Sequence, residues 1–76
     1  MIGELDTVVL THDVPEHGLK AGDVGAVVYA SEAGDGFEVE FVSADGATVA
    51  VLTLTDSDIR PIGAGEILHA RTLRSA

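Results

Sequence analysis

The alternation of apolar and polar residues along the chain predicts short β-strands rather than helices. The clearest case is Phe37-Glu38-Val39-Glu40-Phe41, in which every second residue is acidic. Because successive side chains of a strand point to opposite faces, this pattern places the three apolar side chains in a core. The two glutamates are then expected on an exposed outer face.

Runs rich in β-branched residues predict four further strands. These are Leu5–Thr11, Val24–Ala30, Thr48–Leu54 and a short closing strand, Arg60–Ile62. The proline at position 61 cannot donate to a central ladder, so the closing strand is expected at a sheet edge. The Thr48–Leu54 run is apolar on both faces. We therefore expect that another segment covers its second face or that it lies in a closed barrel.

Proline and glycine mark the connections between these strands. The longest connection, residues 12–23, is typical of a loop, and Val14 and Leu19 are the apolar residues expected to fold it back onto the domain. Gly25 lies inside the second strand, where glycine predicts a bulge or the close approach of another backbone. In a chain of 76 residues, closing the sheet into a small barrel is an economical way to bury one face.

The spacing of five short motifs carries a resemblance. The motifs are Asp-Thr-Val-Val-Leu at 6–10, Pro-Glu-His-Gly-Leu at 15–19, Gly-Asp-Val-Gly-Ala-Val-Val at 22–28, Glu-Val-Glu-Phe at 38–41 and Arg-Pro at 60–61. Together they resemble an uncharacterised bacterial family of small proteins, and the third is similar to the loop-and-strand element of KOW-type SH3-like barrels. The resemblance implies an all-β fold, a small SH3-like barrel of about five antiparallel strands, and it implies no activity.

Two regions follow from this reading. Residues 1–62 are expected to form the barrel, and residues 63–76 form a C-terminal tail set apart by Gly63 and Gly65. The tail contains Arg71 and Arg74 beside one acid, whereas the barrel is strongly acidic. It is expected to be a docked strand, a short helix or a disordered end, and docking can occur within the chain or onto a neighbouring copy.

The charge balance narrows the class of partner. Thirteen Asp and Glu residues against four Lys and Arg give a formal net charge of −9, which repels phosphate backbones and anionic lipid. A KOW-like role with nucleic acid would need the few cations to cluster in space. These cations are Lys20, Arg60, Arg71 and Arg74.

Cysteine is absent, which excludes disulfides and thiolate chemistry. Neither a basic and apolar leader nor a long apolar run is visible, so we expect a cytoplasmic protein without membrane contact.

The loop after the first strand concentrates residues that can bind metal. Imidazole and carboxylate side chains are suitable ligands for divalent cations, but a loop rich in glycine and proline does not show that they converge. A solvated polar loop is the commoner outcome, and a metal-binding or small-ligand domain is kept as an alternative function. The residues are His12, Asp13, Glu16, His17 and Asp23.

Enzymatic chemistry finds little support in the sequence. Asp6, Glu38 and Glu40 have the residue type for paired acid and base catalysis, but exposed carboxylates on a wet sheet face are the usual state. The serines lie in turns or the tail without a nucleophile-elbow context, and the glycines are spaced as turns rather than as a phosphate-binding loop. We expect no catalytic site, no metal and no cofactor.

The function that these features favour is a non-enzymatic protein-interaction module. Its acidic face would contact a basic protein, in the manner of an antitoxin-like or accessory factor, and a strand edge or the tail would support a homo-oligomer. Arg60 is read either as an exposed ion pair or as an interface anchor. The candidate interaction residues are Glu38, Glu40, Arg60, Ile67, Leu68 and Arg71.

The strand register yields a first prediction. If Phe41 is a core residue, Phe41→Ala should lower the free energy of unfolding by about 3–5 kcal/mol, because the substitution leaves a cavity. Urea unfolding followed by circular dichroism measures this change. A loss below about 1 kcal/mol would show that the register is wrong, because core truncations cost more than that.

Overall fold

Five antiparallel β-strands form one sheet in the computed structural model of the chain, which describes residues 2–73. The strand order is β4-β3-β2-β1-β5, so β4 and β5 form the two edges. No helix in residues 2–73 is long and apolar enough to cross a membrane. The strands are β1 (Thr7–Leu10), β2 (Val24–Ala30), β3 (Phe37–Val42), β4 (Thr48–Leu54) and β5 (Ile59–Pro61), and a 3-10 helix (Pro15–His17) lies between β1 and β2.

The expected all-β fold of five antiparallel strands is confirmed, and the bounds of β2 and β4 match the prediction. The start of β1 was placed too early. Leu5 adopts a left-handed conformation with φ of 73°, and its side chain is 85% exposed. A residue with positive φ does not continue a strand, so β1 begins only at Thr7. The closing strand begins one residue earlier than expected and lies at an edge, as its proline requires.

The core lies on one face of this sheet and receives side chains from all five strands. The alternation in β3 holds, because Phe37, Val39 and Phe41 are buried. Ile59 at the start of β5 and Leu19 from the β1–β2 loop complete the same cluster. A sheet whose strands all contribute to one core must curl around it. Within residues 2–73, no ladder joins β4 to β5.

Gly25 of β2 packs closely against β3. A Cβ atom placed on Gly25 would lie 2.8 Å from Phe41 Cε1, 2.8 Å from Val39 Cγ1 and 2.9 Å from the Glu40 carbonyl oxygen. The expected close approach is therefore present. The register shift in the β2–β3 ladder lies elsewhere, between Val27 and Tyr29.

The outer face of β3 differs from the expectation of two fully exposed carboxylates. Glu38 and Glu40 are half-buried. The hydroxyl of Thr53 donates to Glu38 Oε2 at 2.7 Å, and the hydroxyl of Thr48 donates to Glu40 Oε2 at 2.7 Å. Threonines on β4 thus hold the acidic side chains against the sheet, an arrangement that the alternation pattern alone does not reveal.

The packing at Gly25 yields a second prediction. Gly25→Ala should destabilise the fold by about 1–3 kcal/mol, because the added methyl group overlaps two neighbouring side chains and a backbone oxygen. The control is Gly65→Ala, since a Cβ at Gly65 meets nothing within 4 Å. Thermal unfolding of both variants measures the difference. Equal melting temperatures would contradict this account of the β2–β3 contact.

Candidate functional site

The β1–β2 loop folds back onto the domain through a bridge between Val14 and Leu19. The Val14 N–H donates to the Leu19 carbonyl at 2.9 Å, and the Leu19 N–H donates to the Val14 carbonyl at 3.1 Å. Leu19 is 3% exposed, so the loop is pinned by the apolar residues that the sequence indicated. Between these two residues the 3-10 helix ends at His17 and is followed by Gly18, whose φ of 69° is the left-handed conformation that favours glycine.

The end of the loop positions Asp23 immediately before β2. The Lys20 N–H donates to Asp23 Oδ2 at 2.8 Å, and the Asp23 carbonyl accepts from the Leu10 N–H of β1 at 2.9 Å. The backbone of Asp23 is therefore held by the sheet, and its carboxylate by the turn that begins at Lys20. The position of the Asp23 side chain is therefore fixed by its own loop and does not require a partner.

Arg71 of the tail is held by that carboxylate. Its Nε donates to Asp23 Oδ1 at 2.9 Å and its Nη2 donates to Asp23 Oδ2, while Nη2 also reaches the Gly18 carbonyl at 2.9 Å. We call the Asp23 carboxylate and the Gly18 carbonyl the arginine seat. The side chains of Arg71 and Asp23 are 26% and 18% exposed. These are the lowest exposed fractions among the ion pairs in residues 2–73.

The electrostatics of the arginine seat follow from these bonds. Hydrogen bonds from the Arg71 guanidinium and, to a lesser degree, from the Lys20 N–H lower the pKa of Asp23. The pKa of Arg71 is raised in turn, chiefly by its bonds to Asp23, with a smaller contribution from the charge of Asp13. Two-pronged bonding between guanidinium and carboxylate selects arginine by shape as well as by charge.

An apolar groove of about 790 Å³ lies beside the arginine seat. Its floor is formed by side chains of the core and of the β3–β4 hairpin, and the tail forms one wall. A smaller groove of about 200 Å³ surrounds Arg71 itself, between the β1–β2 loop and the tail. We call the larger one the tail groove. It is lined by Leu19, Asp23, Val24, Phe41, Val42, Ser43, Ala44, Gly46, Val49, His69, Ala70, Arg71 and Leu73.

The tail segment, residues 63–73, contains neither strand nor helix and is held at two points. One is the arginine seat. At the other, Arg60 Nη1 and Nη2 donate to Glu66 Oε1 and Oε2, each at 2.7 Å. These bonds, with one from the Gly63 N–H, lower the pKa of Glu66 to about 2. The Arg60–Glu66 pair is half-exposed, so it contributes little stability and mainly fixes where the tail begins.

The structure does not bring the candidate interaction residues into one site. Glu38 and Glu40 lie on the outer face of β3, and Arg60 lies on β5. Ile67 and Leu68 are 91% and 72% exposed between the two points that hold the tail. Arg71 occupies the arginine seat, and Arg74 lies outside the described residues. The residues that complete the site were not singled out for this role. They are Asp23, Gly18 and Phe41.

The candidate metal ligands do not converge. In the part of the chain that the structure describes, no three His, Asp or Glu side chains are grouped to hold an ion. His12 instead bridges two loops: its Nε2 lies 2.8 Å from Asp58 Oδ1 and its Nδ1 lies 2.9 Å from the Asp13 carbonyl. Both neighbours are acceptors, so both ring nitrogens donate only when the imidazole is protonated.

Comparison with known proteins adds one finding. Residues 4–61 match the family described as Domain of unknown function (DUF4926). No protein of curated function and no solved structure matches the chain. The matched range contains all five strands and Asp23, whereas the segment that carries Arg71 lies beyond it.

The His12 bridge yields a third prediction. Two hydrogen bonds raise the pKa of His12. The bond to Asp58 has the larger effect and the bond to the Asp13 carbonyl the smaller one. A raised pKa in the folded state means that protonated His12 stabilises the fold below its unfolded pKa, and that this contribution disappears as pH rises through the folded value. The melting temperature of the natural chain minus that of His12→Gln should therefore fall between about pH 5 and pH 8.5. His17→Gln is the control, and a difference that does not change with pH would contradict the bridge.

Proposed function

Because the chain belongs to the family described as Domain of unknown function (DUF4926), we propose its function from the geometry of the site. The protein is a non-enzymatic protein-interaction module that binds an extended, arginine-bearing segment of a basic partner. The arginine enters the arginine seat, and neighbouring apolar side chains of the partner enter the tail groove. The observation that supports this proposal is the seating of Arg71 on Asp23 and Gly18.

The chemistry of the arginine seat matches a guanidinium group closely. A carboxylate that accepts two parallel bonds and a carbonyl beside it satisfy three of the five N–H donors of arginine. A lysine ammonium carries the same charge as a guanidinium but does not match the forked geometry of the acceptors. The seat therefore favours arginine over lysine in a partner, which is a stricter requirement than negative charge alone.

The surroundings of the arginine seat supply the remaining contact surface. Extended segments bind through alternate side chains placed in apolar pockets, and Val24, Val42 and Val49 present an accessible apolar surface in the tail groove. The net charge of −9 attracts a basic partner over a longer range and raises the rate of encounter. The tail segment shows which type of peptide fits, since it contains neither strand nor helix and meets the seat through one arginine.

The same features support a distant relation to SH3-like barrels of the KOW type. The strand order β4-β3-β2-β1-β5 and the long loop after β1 are consistent with that relation. A nucleic-acid role is less favoured, because Arg60 and Arg71 each pair with a carboxylate of this chain. An antitoxin-like or accessory role in the cytoplasm is compatible with an acidic module that binds a basic protein.

Peptide binding tests the proposal and gives a fourth prediction. The receptor is the 15N-labelled full chain with Arg71→Gln, which leaves the arginine seat free. The probe is a synthetic peptide with the sequence of residues 63–73. We expect shifts of the Gly18, Leu19 and Asp23 amide signals, with a dissociation constant no weaker than a few mM, the range of effective concentration provided by a short linker. The natural chain should bind the peptide more weakly, since its own arginine competes.

Two matched changes separate the arginine seat from general charge attraction. A peptide with Gln in place of Arg71 should bind about tenfold more weakly, because bonds to charged groups contribute about 1.5–3 kcal/mol. Asp23→Asn in the receptor should have the same effect, whereas Asp56→Asn, on an exposed turn, should not. Equal losses in the two aspartate variants, or no shift at the seat, would contradict the proposal.

A further inference from the structure

The free edge of β4 carries unpaired backbone groups. In residues 2–73, β4 pairs only with β3, and no backbone bond from another segment reaches it. The direction of these groups follows from the ladder. Val27 bonds towards β1, through its N–H to the Asp6 carbonyl at 2.9 Å. The direction of backbone bonding alternates from one residue to the next along each antiparallel strand. Following this alternation from Val27 through the β2–β3 and β3–β4 ladders shows that the N–H and C=O groups of Val51 and Thr53 point away from the sheet.

The two edges of the sheet are protected very differently. The β5 edge carries Arg60 and Pro61. The Arg60 guanidinium also donates a hydrogen bond to the Glu66 carboxylate of the tail. Charged residues and proline are the usual devices that prevent edge-to-edge pairing. The β4 edge, Thr48–Leu54, contains neither a charge nor a proline. The register shift of its ladder falls at the turn end, between Phe41 and Val42 of β3, which leaves Ala50–Leu54 regular.

We propose that the β4 edge binds a second copy of this chain, forming a two-fold dimer with a continuous sheet. Antiparallel pairing about Leu52 places Val51 opposite the partner's Thr53 and Ala50 opposite the partner's Leu54. The outward backbone groups of Val51 and Thr53 then bond across the interface. Every cross-strand pair is apolar or contains threonine, so no like charges face each other.

Charge does not prevent this pairing at physiological salt. The nearest acidic side chains, Glu38 and Glu40, are held on β3 by hydroxyl groups of β4. Across the dimer Glu40 lies in line with the partner's Glu38, at a distance of three strand spacings, about 14 Å. This distance exceeds the Debye length of about 8 Å at 0.15 M salt. Repulsion between two chains of net charge −9 remains at low salt, so added salt strengthens the dimer.

A second copy fits this edge better than a different protein does. A two-fold interface requires only that the surface be compatible with itself, and an uncharged strand meets that condition. The same strand offers no charged side chain that would select another partner. The arginine seat lies on the β1–β2 loop and takes no part in the pairing. Dimer formation therefore goes beyond the proposed function and does not depend on it.

Sedimentation equilibrium of the full chain tests this proposal and gives a fifth prediction. We expect a reversible monomer–dimer equilibrium whose dissociation constant falls at least a few-fold between 20 mM and 300 mM NaCl, since salt screens the repulsion. Val51→Pro removes an outward N–H that the monomer does not use, and it should weaken the dimer at least about tenfold. Val51→Thr, which retains both the N–H and the branched shape, is the matched control and should still dimerise.

A second variant covers the case in which the proline disturbs the fold. Val51→Lys places a cation opposite Glu40, and the monomer should remain folded. A lysine on an edge strand also disfavours edge-to-edge pairing, as it does in natural sheets. It should also weaken the dimer, with an unchanged circular dichroism spectrum. A chain that stays monomeric up to about 1 mM, well above the usual range of specific association, would overturn the proposal. A dimer insensitive to both Val51 variants, or one weakened by salt, would overturn it equally.

Discussion

The contact between Phe41 and the backbone of Gly25 is the constraint on which the rest of the structure depends. The ring edge lies 2.8 Å from the position of a Gly25 Cβ, so β2 can pass this close to β3 only because residue 25 has no side chain. This close approach packs β2 and β3 against each other within the core that all five strands share. Phe41 is also part of the tail groove, and Asp23 lies two residues before Gly25. The packing of the core and the placement of the arginine seat are therefore parts of one arrangement.

The few cations of this acidic chain organise the tail. Lys and Arg number four against thirteen acids, and the pairs Arg60–Glu66 and Asp23–Arg71 join the tail to the rest of the domain. The Arg71 contact is the less exposed of the two, so solvent and salt screen it less. A segment attached chiefly through one arginine can be displaced by a partner that offers the same group. The surface that holds the tail is thus suited to recognise a segment of similar chemistry.

The sequence predicted what depends on local pattern. The alternation in β3 identified Phe37, Val39 and Phe41 as core residues, and the glycine at position 25 indicated a close approach. The prediction was wrong at the start of β1 and on the outer face of β3. Leu5 fits a strand by residue type, yet it adopts a left-handed conformation, and Glu38 is half-buried because the β4 hydroxyl of Thr53 covers it.

The arginine seat could not be predicted from the periodicity of the sequence. Asp23 and Arg71 are 48 residues apart, and the pattern placed Asp23 only among possible metal ligands. The signal that pointed towards the pair was the opposite charge of residues 63–76 and residues 1–62, which predicts attraction but does not identify the acidic partner of Arg71. The choice of Asp23 among thirteen acids depends on the fold, because the β1–β2 loop brings the Asp23 carboxylate and the Gly18 carbonyl together around the Arg71 guanidinium.

The Arg71 side chain itself provides the most direct test of this account. In the 15N-labelled natural chain, the Nε–H signal of a guanidinium bonded to Asp23 and Gly18 should exchange slowly with water. It should also shift when Asp23 is replaced by Asn. A signal that exchanges as fast as that of a free arginine and ignores the Asp23 substitution would show that the arginine seat does not hold the tail.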